Sequence, residues 1–181
     1  MLQKGDLLIS EPFLADPNFI RSVIVLCDYN ESGSLGFVLN QLSNVNLDDL
    51  GEDFLNLDIP VFIGGPVEQN TLHFLHTLGE KLDGSVKVTN ELYWSGDIHQ
   101  VVEWLRIGII DEKQIRFFLG YSGWGKNQLE SEMKENTWIH ISDYNYNIFE
   151  NDHKNMWQTV LRNKGGKLRE LSNYPIDPRL N

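Results

Sequence analysis

The chain has 181 residues, 41% hydrophobic and 23% charged, the size and balance of a single globular domain with room for a proper core. Fifteen basic residues against 26 acidic ones leave a formal net charge of −11, which repels phosphate backbones and anionic lipid at long range and argues against direct DNA binding. No apolar run is long enough to span a membrane, residues 1–6 lack the basic-then-apolar order of a secretory signal, and the single cysteine, Cys27, can form no internal disulfide. A cytoplasmic protein without a membrane partner is the expectation.

In chain order, residues 5–10 (GDLLIS) read as a short strand, and Pro12 with the Ala15-Asp16-Pro17-Asn18 cluster forces a bend. Val23–Cys27 is apolar on both alternation faces, the pattern of a strand covered on both sides. A turn cluster at 30–34 and a second run at 35–40 complete a predicted β-hairpin. Leu47, Leu50, Phe54 and Leu57 fall at helical spacing in the acidic stretch 45–57, which predicts a short helix weakened by Gly51. Strands follow at 61–63, ending in Gly64-Gly65-Pro66-Val67, at 72–76, and at 85–88 after an Asp83-Gly84 turn.

The clearest helix opens at Ser95-Gly96-Asp97, with Ile98, Val101, Val102 and Leu105 on one face, a cap from Ser95 or Asp97, and Gly108 past its end. A buried strand is predicted at 115–119, a glycine-rich bend at 120–125, and a helix behind it through Met133. A last strand at 138–141 and a closing helix over 151–164, with Trp157, Val160 and Leu161 buried, complete the pattern; Gly165-Gly166 stops that helix. Helices interleaved with hairpin-rich strands predict a single-domain α/β layered sandwich, α+β-like, with a mixed β-sheet and helices packed on it. One domain over 1–166 and a C-terminal tail at 167–181, loosely docked or flexible, are expected.

The bend Gly120-Tyr121-Ser122-Gly123-Trp124-Gly125 is the first candidate site. Glycines let backbone approach a ligand closely, amides at the start of the following helix can hold an anion, Lys126 adds positive charge and Trp124 offers a ring to stack on. The opposing reading makes the glycines packing devices and Trp124 a cap on the core edge. The stretch matches neither the phosphate-loop nor the dinucleotide pattern. Arg21 is the second candidate: a guanidinium beside a doubly apolar strand is either an ion-pair anchor for Asp16, Asp28 or Glu31, or a fork for an anionic ligand. Cys27 reads as an inert core thiol, and His73 and His76, three apart on a strand, face opposite ways and cannot share a metal. No metal site and no cofactor are expected.

Taken in order, the segments at 4–9, 16–23, 36–40 and 64–67, then 120–125 with Gln128-Leu129-Glu130 and Asn136-Thr137-Trp138, resemble the AlgH/YqgE family of bacterial proteins, often labelled transcriptional regulators. The chain departs from the family pattern at Gln41-Leu42, where Arg-Pro is usual, and at Lys126-Asn127, where small residues are common. The resemblance implies a compact α/β sandwich and leaves the mechanism open.

The leading expectation is a non-enzymatic protein that binds a small ligand or a protein partner in a regulatory role. Its ligand-binding surface would combine Arg21, Asn40, Ser122, Gly123, Trp124, Gly125 and Lys126, with no catalytic residue. One alternative is a hydrolase or transferase in the same cleft, with Ser22 or Ser122 as nucleophile, although neither has a base at a recognisable spacing. The other is direct nucleic-acid binding, for which Lys164, Lys167 and Arg169 form the one modest basic concentration.

Overall fold

The computed structural model describes residues 1–144, 146–149 and 152–175. Its strands are β1 (Leu7–Ser10), β2 (Val23–Asn30), β3 (Gly33–Val38), β4 (Leu42–Asn46), β5 (Pro60–Ile63), β6 (Val67–His76), β7 (Val86–Lys87), β8 (Tyr93–Trp94), β9 (Ile115–Gly125) and β10 (Trp138–Ile141). They join in one mixed sheet ordered β10-β1-β2-β3-β9-β6-β8-β7, with β5 added to β9 and β4 to β5. All pairings are antiparallel except β5 with β9. The predicted hairpin is β2–β3, closed by Asn30 opposite Gly33.

Strand alternation splits the core into two layers. Leu7, Ile9, Val23, Val25, Cys27 and Phe37 point to one face, where α3 (Met156–Lys164) supplies Met156, Trp157, Val160 and Leu161. Leu8, Ile24, Leu26 and Val38 point to the other, where α2 (Gln128–Lys134) lays Leu129 and the 11–20 segment lays Leu14 and Phe19. Further along that second face, α1 (Ile98–Arg106) buries Val101 and Val102 against Phe74, Ile115 and Phe117. Helices on both faces of a mixed sheet make the layered α/β sandwich that the element order predicts.

Several local expectations change. The leucines of 45–57 do not make an α-helix. Two 3-10 turns, Leu47–Leu50 and Glu52–Phe54, are separated by Gly51 at φ 149°, a conformation that halts helix propagation. The closing helix begins only at Met156. The expected start at Asn151 lies outside the described residues. Gly165, at φ 74°, ends α3, but Gly166 opens a further helix, α4 (Gly166–Leu171). Leu168 and Leu171 pack on the α3 face and Ser172 is buried. Of the expected tail, residues 176–181 lie outside the described residues.

α1 holds as predicted. Asp97 is its cap, its carboxylate accepting from the His99 and Gln100 amides, while Ser95 stands before it in the left-handed region at φ 64°.

Candidate functional site

The glycine motif is strand, not bend. β9 runs unbroken through Gly125, with Ser122, Gly123, Trp124 and Gly125 paired to Gly36, Leu35, Ser34 and Gly33 of β3. A strand-to-helix turn follows only at Lys126-Asn127. Gly120, at φ 67°, is needed because another segment crosses β9 here: a Cβ would stand 2.6 Å from the Val67 carbonyl oxygen. β5 lies parallel on one side of β9, β6 antiparallel on the other, and Gly64-Gly65-Pro66 carries the chain across. A Cβ on Gly64 would stand 2.3 Å from the Gly120 carbonyl oxygen, and one on Gly65 2.3 Å from the Tyr121 carbonyl. Ser122, fully buried, donates its hydroxyl to the Gly64 carbonyl at 3.0 Å and so pins the crossing.

Trp124 is core. It is 6% exposed, its ring meets Trp138 edge-on at 5.9 Å, and its Nε1 donates to Glu132 Oε2 at 2.8 Å. The Trp138 indole donates to the same oxygen at 2.7 Å, and Gln128 donates to Oε1 at 2.9 Å. The start of α2 offers no anion cradle. The Gly125 amide is satisfied by Gln128 at 2.9 Å, and Glu130 lies beside it, accepting from the Tyr29 hydroxyl at 2.7 Å. That bond to a carboxylate raises the Tyr29 phenol above its ordinary range. Lys126 and Gly123 are exposed at this end of the molecule.

Arg21 and Asn40 do meet. Asn40 donates to the Arg21 carbonyl at 2.8 Å and accepts from the Val23 amide at 2.9 Å, so one side chain brackets the entry to β2. The bracket holds Arg21 at φ 49°, a left-handed conformation that costs a non-glycine residue about 1–2 kcal/mol. None of the expected acidic partners reaches it; Asp28 pairs instead with Lys4 at 2.8 Å. The guanidinium lies over the Trp157 ring, 4.5 Å from its centroid, and Nη2 donates to the Tyr174 carbonyl. Nε is buried and has no hydrogen-bond partner among the described residues. Burial lowers the Arg21 pKa, but a guanidinium stays charged at neutral pH.

The two halves of the expected site therefore separate. Arg21 stacks on the α3 face through Trp157, whereas Trp124 packs on the α2 face. Along β3, Ser34, the partner of Trp124, stands four residues before Val38, about 13 Å of extended chain, and Asn40 lies two residues beyond that strand end. The candidate nucleophiles fare no better. Ser22 is buried beneath Ser10, whose hydroxyl accepts the Ser22 amide at 2.8 Å, and Ser122 has spent its proton on Gly64. The His140–Asp6 pair, at 2.6 Å, has no hydroxyl or thiol hydrogen-bonded to it among the described residues.

His73 and His76 face opposite sides as expected. His73 stands among Phe37, Trp94 and Tyr121; His76 stacks on Tyr93 and meets the Ser95 carbonyl at 2.9 Å. Among the described residues no group of three His, Cys, Asp or Glu is placed to hold a metal ion. Cys27 is buried in the α3-face core, which pushes its thiol pKa far up and leaves it unreactive. No helix among the described residues is long and apolar enough to cross a membrane.

Sequence reasoning missed the parts that complete the Arg21 site. The sequence marks Trp157 as a buried helix residue, but nothing local says that its ring meets a cation. Tyr174 is 153 residues from Arg21 along the chain, beyond any spacing rule.

The AlgH-like family model (DUF179) matches residues 7–169. A UPF0301 protein of Cytophaga hutchinsonii is 45% identical over the full length of both chains. A UPF0301 protein of Bacteroides fragilis is 42% identical, covering 100% of this chain and 92% of its own. Among solved structures, the AlgH protein of Pseudomonas aeruginosa superposes with a TM-score of 0.74 at 29% identity, covering 95% of this chain and 94% of its own. A Corynebacterium diphtheriae protein superposes at 0.79 with 20% identity, covering 96% and 93%, a likeness of fold alone. With nearly its whole length matched by the family model and by relatives of similar size, the chain belongs to the AlgH-like family.

Proposed function

We propose that this chain is a cytoplasmic, non-enzymatic binding protein with a regulatory role, and that Arg21 is the residue through which it recognises a carboxylate on its ligand or partner. One observation carries the reading. The Arg21 guanidinium rests on Trp157 with Nη2 on a backbone carbonyl and Nε without a hydrogen-bond partner among the described residues. Nε and Nη2 form one edge of the fork, shaped for two parallel bonds to a carboxylate. The Tyr174 carbonyl fills one prong only. A carboxylate that displaces it satisfies both, and gains charge assistance that a carbonyl lacks.

The surroundings suit a protein or peptide as the carrier. Phe13, Ile20 and Tyr174 are 51%, 50% and 38% exposed, and Phe13 meets Tyr174 edge-on at 5.3 Å. An arginine among exposed aromatic and aliphatic side chains has the composition of an interface hot spot. Asn40 enters as a positioning residue that fixes the Arg21 backbone. Gly123, Trp124, Gly125 and Lys126 have no part in this reading.

The test follows the Arg21 Nε–H resonance by NMR during titration with a short peptide ending in a free carboxylate, and with its C-terminal amide. The expected result is a saturable shift with the acid, at least tenfold weaker for the amide; in Arg21→Lys, which keeps the charge but not the fork, binding is read from the backbone amides of Ile20, Ser22 and Trp157, and their saturable shifts should be lost. Equal responses to acid and amide, or full retention by Arg21→Lys, overturn the reading.

A further inference from the structure

The opposite side of the sheet holds a concavity that the Arg21 reading does not use. A cavity of about 450 Å³ lies between the 3-10 turns, β6, β9 and the start of α1. Leu50, Phe54, Leu72, Ile98 and Leu119 line it, and all five remain only half-buried. Apolar side chains at the rim of a core normally close on one another. Here five from five different elements stop short around one space, within the 300–1,000 Å³ range of small-molecule sites.

Its polar groups are few and convergent. Asn70 and Ser95 stand at the edge, and the Asn70 amide makes no hydrogen bond among the described residues. Ser95 is held in its left-handed conformation by His76, whose Nε2 meets the Ser95 carbonyl at 2.9 Å. Among the described residues no charged side chain lines the cavity. The flanking 3-10 turns carry Asp48, Asp49, Glu52 and Asp53, and Asp97 caps the adjoining helix. An anionic head group would meet this cluster of like charge.

We infer that this cavity is a binding site for an uncharged, largely apolar small molecule, an aryl or short acyl body whose single amide, amine or hydroxyl group meets Asn70. The apolar body would cover the five half-exposed side chains, which supplies the driving force. The Asn70 amide offers both donor and acceptor, which orients the head without demanding charge.

The probe is N-phenyl-1-naphthylamine, which is neutral, carries one N–H and brightens in apolar surroundings. Its 8-sulfonate analogue is the anionic control. The folded full chain is expected to bind the neutral probe saturably, and the sulfonate at least tenfold more weakly. Amide shifts should concentrate at Asn70, Ser95, Gly96 and Leu119. Leu50→Trp, which fills the space from a 3-10 turn, should weaken the neutral probe at least tenfold. Absence of saturable binding by the wild-type chain overturns the inference, as does equal affinity for the sulfonate. Shifts confined to other regions overturn it even if the filled variant fails to fold, because they are read on the wild-type chain. Failure here leaves the Arg21 reading untouched, since that site is followed by a different resonance.

Discussion

Glu132 holds two indoles with one oxygen, and its removal tests whether the tryptophan of the glycine motif is structural. Trp124 and Trp138 are 6% and 4% exposed and donate to Oε2 at 2.8 and 2.7 Å. In Glu132→Ala both N–H groups lose their acceptor. Leaving one buried donor unmet costs about 1–3 kcal/mol. The Glu132 side chain is itself only partly buried, so water can follow it in, and about 3 kcal/mol for the pair is the reasoned figure. For a chain of this length that is a fall in Tm of roughly 6–12 °C. Urea unfolding followed by tryptophan fluorescence gives the free energy. The sharper arm is Trp138→Phe, which keeps the aromatic ring and deletes the donor. It should cost about 1 kcal/mol in the wild-type background and close to nothing, or a gain, beside Glu132→Ala, because the orphaned group is then gone. If Glu132→Ala stays within about 0.5 kcal/mol of wild type, or Trp138→Phe costs the same in both backgrounds, the two-indole clamp is not what holds this face.

The glycine crossing is expected to be intolerant. Gly64→Ala, with its Cβ 2.3 Å from a backbone oxygen, should lose at least about 3 kcal/mol or fail to fold, whereas Gly125→Ala, whose nearest contact would be 3.8 Å, should stay within about 0.5 kcal/mol by the same unfolding assay. His73 and His76 both have pKa values lowered chiefly by burial, so stability is complete above the ordinary histidine value of about 6.5 and falls as pH drops below it toward the folded values. Fully buried His76 can contribute a slope of up to about 1.4 kcal/mol per pH unit in that window, and half-buried His73 less. The denaturation midpoint of His76→Asn should therefore flatten with pH relative to wild type. Because the sheet separates the cavity from Arg21, Leu50→Trp should change peptide-acid affinity at Arg21 by less than about twofold, read by the same Nε–H titration.

The parts of the fold legible in sequence are those whose cause is local. The β2–β3 hairpin follows from two β-rich runs around Ser32-Gly33, and α1 follows from its apolar spacing and Asp97. The burial of Cys27 and the opposed histidines follow from strand alternation alone. What was not legible depends on distant chain. Residues 120–125 look like a bend because glycine runs usually end strands. They remain strand because β3 pairs along them and 64–66 cross over them. The leucines of 45–57 have helical spacing, yet Gly51 divides them and Leu47 takes its amide partner from Ile59. Joining Arg21 to Trp124 failed on parity: no local rule says which side of the sheet a residue before β2 and a residue late in β9 will each choose.

The most recognisable motif and the candidate binding groups lie apart for a physical reason. A backbone crossing at contact distance admits no Cβ, so it imposes glycine at defined positions and leaves a memorable sequence. By the same act it fills the space directly over Gly120 and Tyr121. Ser122 and Trp124, beside that crossing, have each given their one donor to an acceptor within the fold. Asn40 has likewise spent both a donor and an acceptor on the backbone around Ser22. A ligand can gain only from capacity the fold leaves unused. Arg21, whose Nε–H over an aromatic shelf has no partner among the described residues, retains such capacity in charge and hydrogen bonding. The five half-buried side chains around the cavity retain it in apolar surface. On the two readings proposed above, one calls for an anion and the other for a neutral body, and because they lie on opposite faces of one sheet, occupancy of one leaves the other open.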